Sequence, residues 1–236
     1  MRHFQWLLLV LALLLPKPML AFCEVPNPRL VCAEYFASTL VVEAALVQTT
    51  GLHDKDDPDG ISAYVYTLRV SQTLRGNAVK TLTVYEGNDS GRATFDWIKG
   101  TNYLLFLNHT TDKRSWELDG CGNSGPLSKA AAALSEIDAI KVAHGNGVIH
   151  GVVSEQDLVT PVAGVNINVR GAGRQFTATT NAKGEFQVNA PPGRYIVHAA
   201  QSGRSFDKAD FSYEDPGNIR IQTGGCAQVQ FVRAQR

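Results

Sequence analysis

Four cysteines, Cys23, Cys32, Cys121 and Cys226, carry the most decisive chemistry in this sequence. No two stand in C-x-x-C spacing, the pattern of a zinc ribbon or a redox dithiol, so disulfide formation is their expected chemistry. Four cysteines allow three pairings. A second candidate is Asp54, Asp56, Asp57 and Asp59, crowded into GLHDKDDPDG with His53 beside them. Calcium suits such carboxylates, but the EF-hand spacing fails and no acid occupies the closing position. A solvated turn is the favoured reading. Asn88-Asp89-Ser90-Gly91 presents Ser90 as a protease nucleophile would be presented. No histidine and buried acid stand in suitable settings, so a hairpin turn is favoured there. No G-x-S-x-G, G-x-G-x-x-G or P-loop occurs. His53, His109, His144, His150 and His198 form neither H-x-x-x-H nor H-E-x-x-H, so no metal-ligand set can be named. Tyr64, Tyr66, Trp97, Phe186 and Tyr195 could offer ring faces to a sugar or a base, although strand aromatics more often fill a core. Asn88 and Asn108 lie in N-x-S/T sequons. The sequence names no catalytic, cofactor-binding or metal-binding residue, and an enzyme is not expected.

The chain has 236 residues, 44% of them hydrophobic and 19% charged, with 22 Lys and Arg against 22 Asp and Glu. That is a globular composition, long enough for one large domain or two of about 100 residues. Without a basic excess, a nucleic-acid partner is not expected. Residues 1–21 read as a secretory signal: Arg2, an apolar run from Trp6 to Leu15, then Pro16 and Pro18. A run of about ten residues is too short to span a bilayer. Cleavage after Ala21 would remove Arg2 and Lys17, leaving 20 basic against 22 acidic side chains. Lipoprotein processing before Cys23 is the rival route, and bulky Phe22 stands where it wants a small residue. No later stretch is apolar for 18 residues, so no membrane span is expected. The expected location is periplasmic or extracellular, where thiols oxidise.

The elements that would position these residues are mainly β. Residues 39–49 read as a mostly buried strand and 51–60 as a polar turn. Residues 61–71 and 79–85 alternate, and 102–108 are strongly apolar. Several strands at short spacing indicate a small barrel or sandwich. Residues 128–144 are rich in helix formers, with Ser128 as N-cap and Gly145 as C-terminal stop. Ala130, Ala133, Ile137 and Ile140 share a stripe, so this helix is expected to pack on the barrel. After HGNG at 144–147, seven short strands follow: 147–153, 164–170, 175–180, 184–189, 193–200, 218–222 and 226–233. This is a β-sandwich pattern.

The second half resembles the carboxypeptidase regulatory-like domain, a transthyretin-like or Ig-like β-sandwich. The matching residues are Gly147 to Val153, Pro161 to Ile167, Thr179 to Phe186 and Pro191 to Tyr195. Asn181 stands where that family usually has Asp, and can form the same side-chain turn. Gly184 and Gly193 are expected in turns of positive φ. Phe186, Val188, Tyr195 and Val197 are expected to alternate into the core. The family's usual role is structural or adhesive, and its fold class includes carbohydrate-binding modules. The first half resembles the netrin-like domain of tissue inhibitors of metalloproteinases, in its bacterial form. The likeness rests on Cys23, Cys32, Tyr66 to Val70, Leu74-Arg75-Gly76, Gly100 to Phe106, and Cys121 followed by Gly125-Pro126-Leu127 and the helix. It implies an OB-like barrel with a flanking helix. That family's first cysteine, and its usual partner near Ala93-Thr94, are missing here. The resemblance implies a Cys23–Cys121 bridge, leaving Cys32 to Cys226, a bond that would lock the halves together.

The expected organisation is a signal at 1–21, a netrin-like domain at 22–144, a linker at 145–147 and a regulatory-like sandwich at 148–236. The expected function is that of a non-enzymatic exported binding protein with a protein or glycan partner. Metalloproteinase inhibition through the first domain and carbohydrate binding through the second are the alternatives. N-terminal sequencing of the exported protein should begin at Phe22; an intact Met1 in the cytosol would overturn the export reading.

Overall fold

The computed structural model describes residues 28–77, 79–88, 95–210 and 212–235. The 1–21 segment, Cys23 and the Asp89-Ser90-Gly91 stretch lie outside the described residues.

The first structure is a closed five-stranded barrel. Strands β1 (Leu40–His53), β2 (Ile61–Arg75), β3 (Thr81–Gly87), β4 (Asn102–His109) and β5 (Trp116–Leu118) close in the ring order β1-β2-β3-β5-β4-β1. All pairings are antiparallel except β3 with β5. This is the expected OB-like barrel. A two-residue strand, β6 (Gly125–Pro126), adds to β4. Leu40, Val42, Ala44, Leu68, Leu82, Val84, Tyr103, Leu105 and Leu107 fill the interior. Strand β4 is buried on both faces, since Leu104 and Phe106 point outward under two helices. That is why 102–108 reads as a continuous apolar run.

Those helices are α1 (Val31–Ala37) and α2 (Ala131–Val142). Helix α2 lays Ala130, Ala133, Ile137 and Ile140 against the barrel, as its stripe indicates. It starts later than expected. Residues Leu127–Lys129 form a 3₁₀ turn, Ala130 is the N-cap, and Ser128 caps nothing. It ends at Val142, because Ala143 is already extended. Helix α1 has no counterpart in the sequence reading. It lacks a side-chain N-cap and is too short to be stable alone. Its C-terminal carbonyls are capped from the barrel instead. Arg75 donates through Nη2 to Phe36 O at 3.2 Å and through Nε to Ser38 O at 3.0 Å.

Two four-stranded sheets make the second structure. One runs β10 (Glu185–Ala190), β7 (Gly147–Ser154), β14 (Cys226–Arg233), β12 (Phe206–Lys208). The other runs β13 (Ile219–Ile221), β11 (Gly193–Ala200), β8 (Asn166–Gly171), β9 (Arg174–Thr179). Ile149, Val153, Val169, Phe186, Val188, Tyr195, Val197 and Val229 pack between the two sheets. Gly151 lies opposite Phe186, whose ring occupies the space a Cβ would need. Asn181 Oδ1 accepts the N–H of Lys183 at 2.8 Å, the side-chain turn anticipated for it. Gly184 has φ +73° as expected. Gly193 does not have positive φ: it opens β11, and a Cβ there would crowd Ala172 Cβ at 3.0 Å. Residue Gly147 is the buried first residue of β7, so the connection after α2 covers 143–146.

Cys32 on α1 is bonded to Cys226 at the start of β14, Cα to Cα 5.7 Å, across 194 positions. Cys121 is also disulfide-bonded; its expected partner, Cys23, is among the residues not described. Replacing Cys32 and Cys226 together by Ser should lower stability by about 2–5 kcal/mol in chemical denaturation. The far-UV spectrum without denaturant should not change, because each core is complete without the bond.

Candidate functional site

Along β14, Ala227, Val229 and Phe231 face the sandwich core, so Cys226, Gln228 and Gln230 face outward. All three outward residues are nevertheless buried. The chain leading into the barrel covers this face. Besides the disulfide, the Gln228 carboxamide accepts the Leu30 N–H at 2.8 Å and donates to Pro28 O at 3.0 Å. Phe36 closes over Gly225, where a Cβ would sit 3.2 Å from its Cε2. Cys32 N–H donates to Glu136 Oε1 at 3.0 Å, tying α1 to α2.

Charged groups gather in the same seam. Glu34 is 1% exposed and accepts from Asn123 N at 2.6 Å and Nδ2 at 2.7 Å. Arg29 lies 3.8 Å from Glu34 and 3.4 Å from Asp119, with its guanidinium 5.0 Å from the Tyr213 ring centroid. Glu214 accepts the backbone N–H of Gln228. Burial pushes the Glu214 carboxyl up to about 7, against the lowering effect of that N–H and of Arg29. Burial raises Glu34 as well, against the Asn123 hydrogen bonds and Arg29. One arginine therefore serves three carboxyl groups, two of which are costly to ionise where they stand.

Beside this seam lies a cleft of about 510 Å³. Pro28 and Leu30 wall one side; His150, Val152, Gln187 and Gln228 lie across the outer sheet face; Thr179 and Glu185 stand at the β9–β10 edge. His150 sits between Gln187 and Gln228 in the strand register. Burial holds its pKa below the usual imidazole value, with Glu136 opposing. His150 is therefore neutral near pH 7, with one ring nitrogen donating and one accepting. The cleft thus presents hydrogen-bonding groups that are mostly uncharged, with one carboxylate at its rim.

The residues singled out in the sequence fall elsewhere, Cys32, Cys226, His150 and Phe186 excepted. Asp54 and Asp57 accept from Asp56 N and Gly60 N, which shapes their own exposed turn. Among the described residues, no three His, Cys, Asp or Glu side chains are grouped to hold a metal. His53, His144 and His198 are exposed, and His109 stacks on Trp116 at 3.9 Å. Tyr64, Tyr66 and Trp97 do meet: Tyr66 lies 4.7 Å from Trp97 and 6.2 Å from Tyr64. That stack belongs to the barrel core, where Tyr66 is buried and Tyr64 and Trp97 are partly so. Phe186 and Tyr195 are sandwich core, at 6% and 1% exposure. The Asn108 carboxamide accepts from Thr39, and Asn88 donates to Ile61 O. The sequence reading did not single out Arg29, Glu34, Asn123, Glu214 or Gln228. One signal was present: a lone Glu in the apolar stretch VCAEYFA.

No protein-family model and no curated protein matches this chain. Solved structures that it is similar to include the Bacillus anthracis TIE protein, at 11% identity and a TM-score of 0.30, over 81% of this chain and 31% of that one. Another is the C-terminal fragment of pilus adhesin SpaC from Lactobacillus rhamnosus GG, at 9% identity and 0.26, over 87% and 91%. The chain spans under a third of the length of the Bacillus anthracis protein. Likeness this distant assigns neither family nor function. Among the described residues, no helix is long and apolar enough to cross a membrane.

The seam makes stability depend on pH in a definite direction. The Glu214 carboxyl titrates near 7 when folded and near 4.5 when unfolded, so the folded state holds its proton more tightly. Stability should fall as pH rises from about 4.5 to 7, by about 3 kcal/mol at most from this group, at about 1.4 kcal/mol per tenfold change in proton affinity. Glu214→Gln should flatten that slope and match or exceed the parent at pH 8, measured by denaturation midpoints at each pH.

Proposed function

We propose that this chain is a non-enzymatic exported binding protein: an OB-like barrel latched to a β-sandwich, with the seam cleft as its recognition surface. One observation carries the reading. One wall of the cleft comes from residues 28–30, the other from strands β7, β10 and β14 of the sandwich, and Cys32–Cys226 and the Gln228 carboxamide hold them in fixed register. A site already rigid gives up little conformational entropy on binding. Within it, the His150, Gln187 and Thr179 side chains hold donors and acceptors that face the cleft. Such groups suit a polar, largely uncharged ligand, a sugar chain or a peptide backbone, better than a polyanion.

Other support points the same way. The disulfide fits an oxidising compartment. The resemblance of residues 146–236 to the carboxypeptidase regulatory-like domain favours a structural or adhesive role. Metalloproteinase inhibition, the other reading offered by resemblance, would need a free cysteine α-amine at the N-terminus, and no feature of the seam favours it.

The test is binding of the full mature chain to neutral glycan and peptide arrays. Ligands found there should bind at least about tenfold more weakly to Gln187→Ala and His150→Ala, with denaturation midpoints near the parent's. Binding that neither substitution changes would place the recognition surface elsewhere.

A further inference from the structure

The sandwich sheet that faces away from the barrel carries an unusual set of charges. Strand alternation places Arg194, Ile196 and His198 of β11 on its outer face, opposite the buried Tyr195 and Val197. Arg194 lies directly across from Arg220 of β13, and Ile196 directly across from Arg170 of β8. All three arginines are exposed, and none has an ion-pair partner among the described residues. Like charges directly opposite in a sheet are destabilising. No acidic side chain interrupts this face along β8, β9, β11 or β13. The adjoining Asp215 uses Oδ1 on the Gly217 N–H. Ile196 is 44% exposed in the middle of the patch. Arginines around an exposed aliphatic side chain are the composition of a protein-binding surface.

The opposite charge stands at the tip of the barrel's β1–β2 hairpin. Strand β1 starts beside α1 and pairs with β4 only as far as Ala45. From Gln48 to His53 it pairs with β2 alone, and residues 47–50 are exposed. At about 3.3 Å per residue the hairpin carries its turn about 25 Å beyond Ala45. The turn holds exposed Asp54, Asp56, Asp57 and Asp59 against Lys55. The two halves carry net charges of opposite sign. Residues 22–147 have eleven basic against fifteen acidic side chains, and residues 148–236 have nine against seven. The sandwich sheet that meets α1 is the one opposite the arginine face, so the turn of one molecule does not fold back onto its own arginines.

We propose that copies of this chain associate head to tail, the aspartate turn at 54–59 of one copy seating on the Arg170, Arg194 and Arg220 face of the next. The contact joins different surfaces on its two partners, so it repeats into rings or open chains rather than closing as a symmetric dimer. It is independent of the seam cleft and survives loss of any ligand there.

Sedimentation velocity on the full mature chain tests this. At about 20 mM salt the weight-average mass should rise with protein concentration. At about 0.5 M salt, where charges a few ångströms apart are screened, it should fall to that of the monomer. Arg194→Glu with Arg220→Glu, and separately Asp56→Lys with Asp59→Lys, should each give a monomer at low salt. Neither Asp56 nor Asp59 caps the turn through its side chain, so the hairpin should stay folded. Mixing the two charge-reversed proteins should restore association, since each then offers what the other lacks. A parent chain that stays monomeric at low salt overturns the proposal, as does association that survives both reversals. A monomer that shifts instead on adding polygalacturonate, with the shift lost in the arginine variant, also overturns it and assigns the face to an acidic polysaccharide.

Discussion

A seven-residue helix holds two β-structures together, and its own sequence supplies almost no reason for it to be helical. Helix α1 has no side-chain cap and contains a β-branched residue, two aromatics and a carboxylate that is buried in the folded chain. It is helical because elements of both the barrel and the sandwich grip it. Arg75 from β2 caps its carbonyl end, Cys226 bonds to its first turn, and Asn123 from the loop after β5 satisfies Glu34. Remove these and the outward face of β14, with Gln228 and Gln230, loses its cover. The barrel's position on the sandwich, the width of the cleft and the burial of the carboxyls all follow from that one packing arrangement.

The seam's electrostatics are poor by the standard of a stabilising ion network. Arg29 is shared among Glu34, Asp119 and Glu214, and its buried Nε has no hydrogen-bond partner among the described residues. A buried charge is tolerable only with full pairing, and here protonation relieves what pairing does not. The junction therefore costs stability near neutral pH. The neighbouring cleft benefits, because a wall fixed by Gln228 does not have to be ordered by a ligand.

Much of the architecture was legible before the coordinates. Alternation located seven of the eight sandwich strands to within one or two residues, because each has one face on the core and one outside; the three-residue β12 is too short to show a period. The helix stripe at Ala133, Ile137 and Ile140 marked the face that packs on the barrel. The seam was not legible, for a physical reason. The alternation in CAQVQFVR shows that Gln228 and Gln230 leave the sandwich core, but period-two patterning is blind to what lies beyond the outer face. Glutamines that read as solvated are roofed by another part of the chain. Helix α1 was invisible because its stability is wholly tertiary, and tertiary contact overrides local propensity. The aromatics misled in the opposite way: Tyr64, Tyr66 and Trp97 do stack, but on one another inside the barrel.

The placement of β14 sets the order in which the molecule can be completed. It is the last strand in the chain, yet it lies in the interior of its sheet, paired in parallel with β7 and flanked by β12. The sandwich core, which needs Val229 and Phe231, cannot close until β14 is available. Cys32 is the early partner in its disulfide and waits 194 positions for Cys226, while Cys121 comes within reach long before. A Cys32–Cys121 bond formed in an oxidising space before Cys226 is available would have to be undone by thiol–disulfide exchange once β14 has docked. A catalyst that reshuffles disulfides would then speed formation of the native Cys32–Cys226 bond more than an oxidant alone.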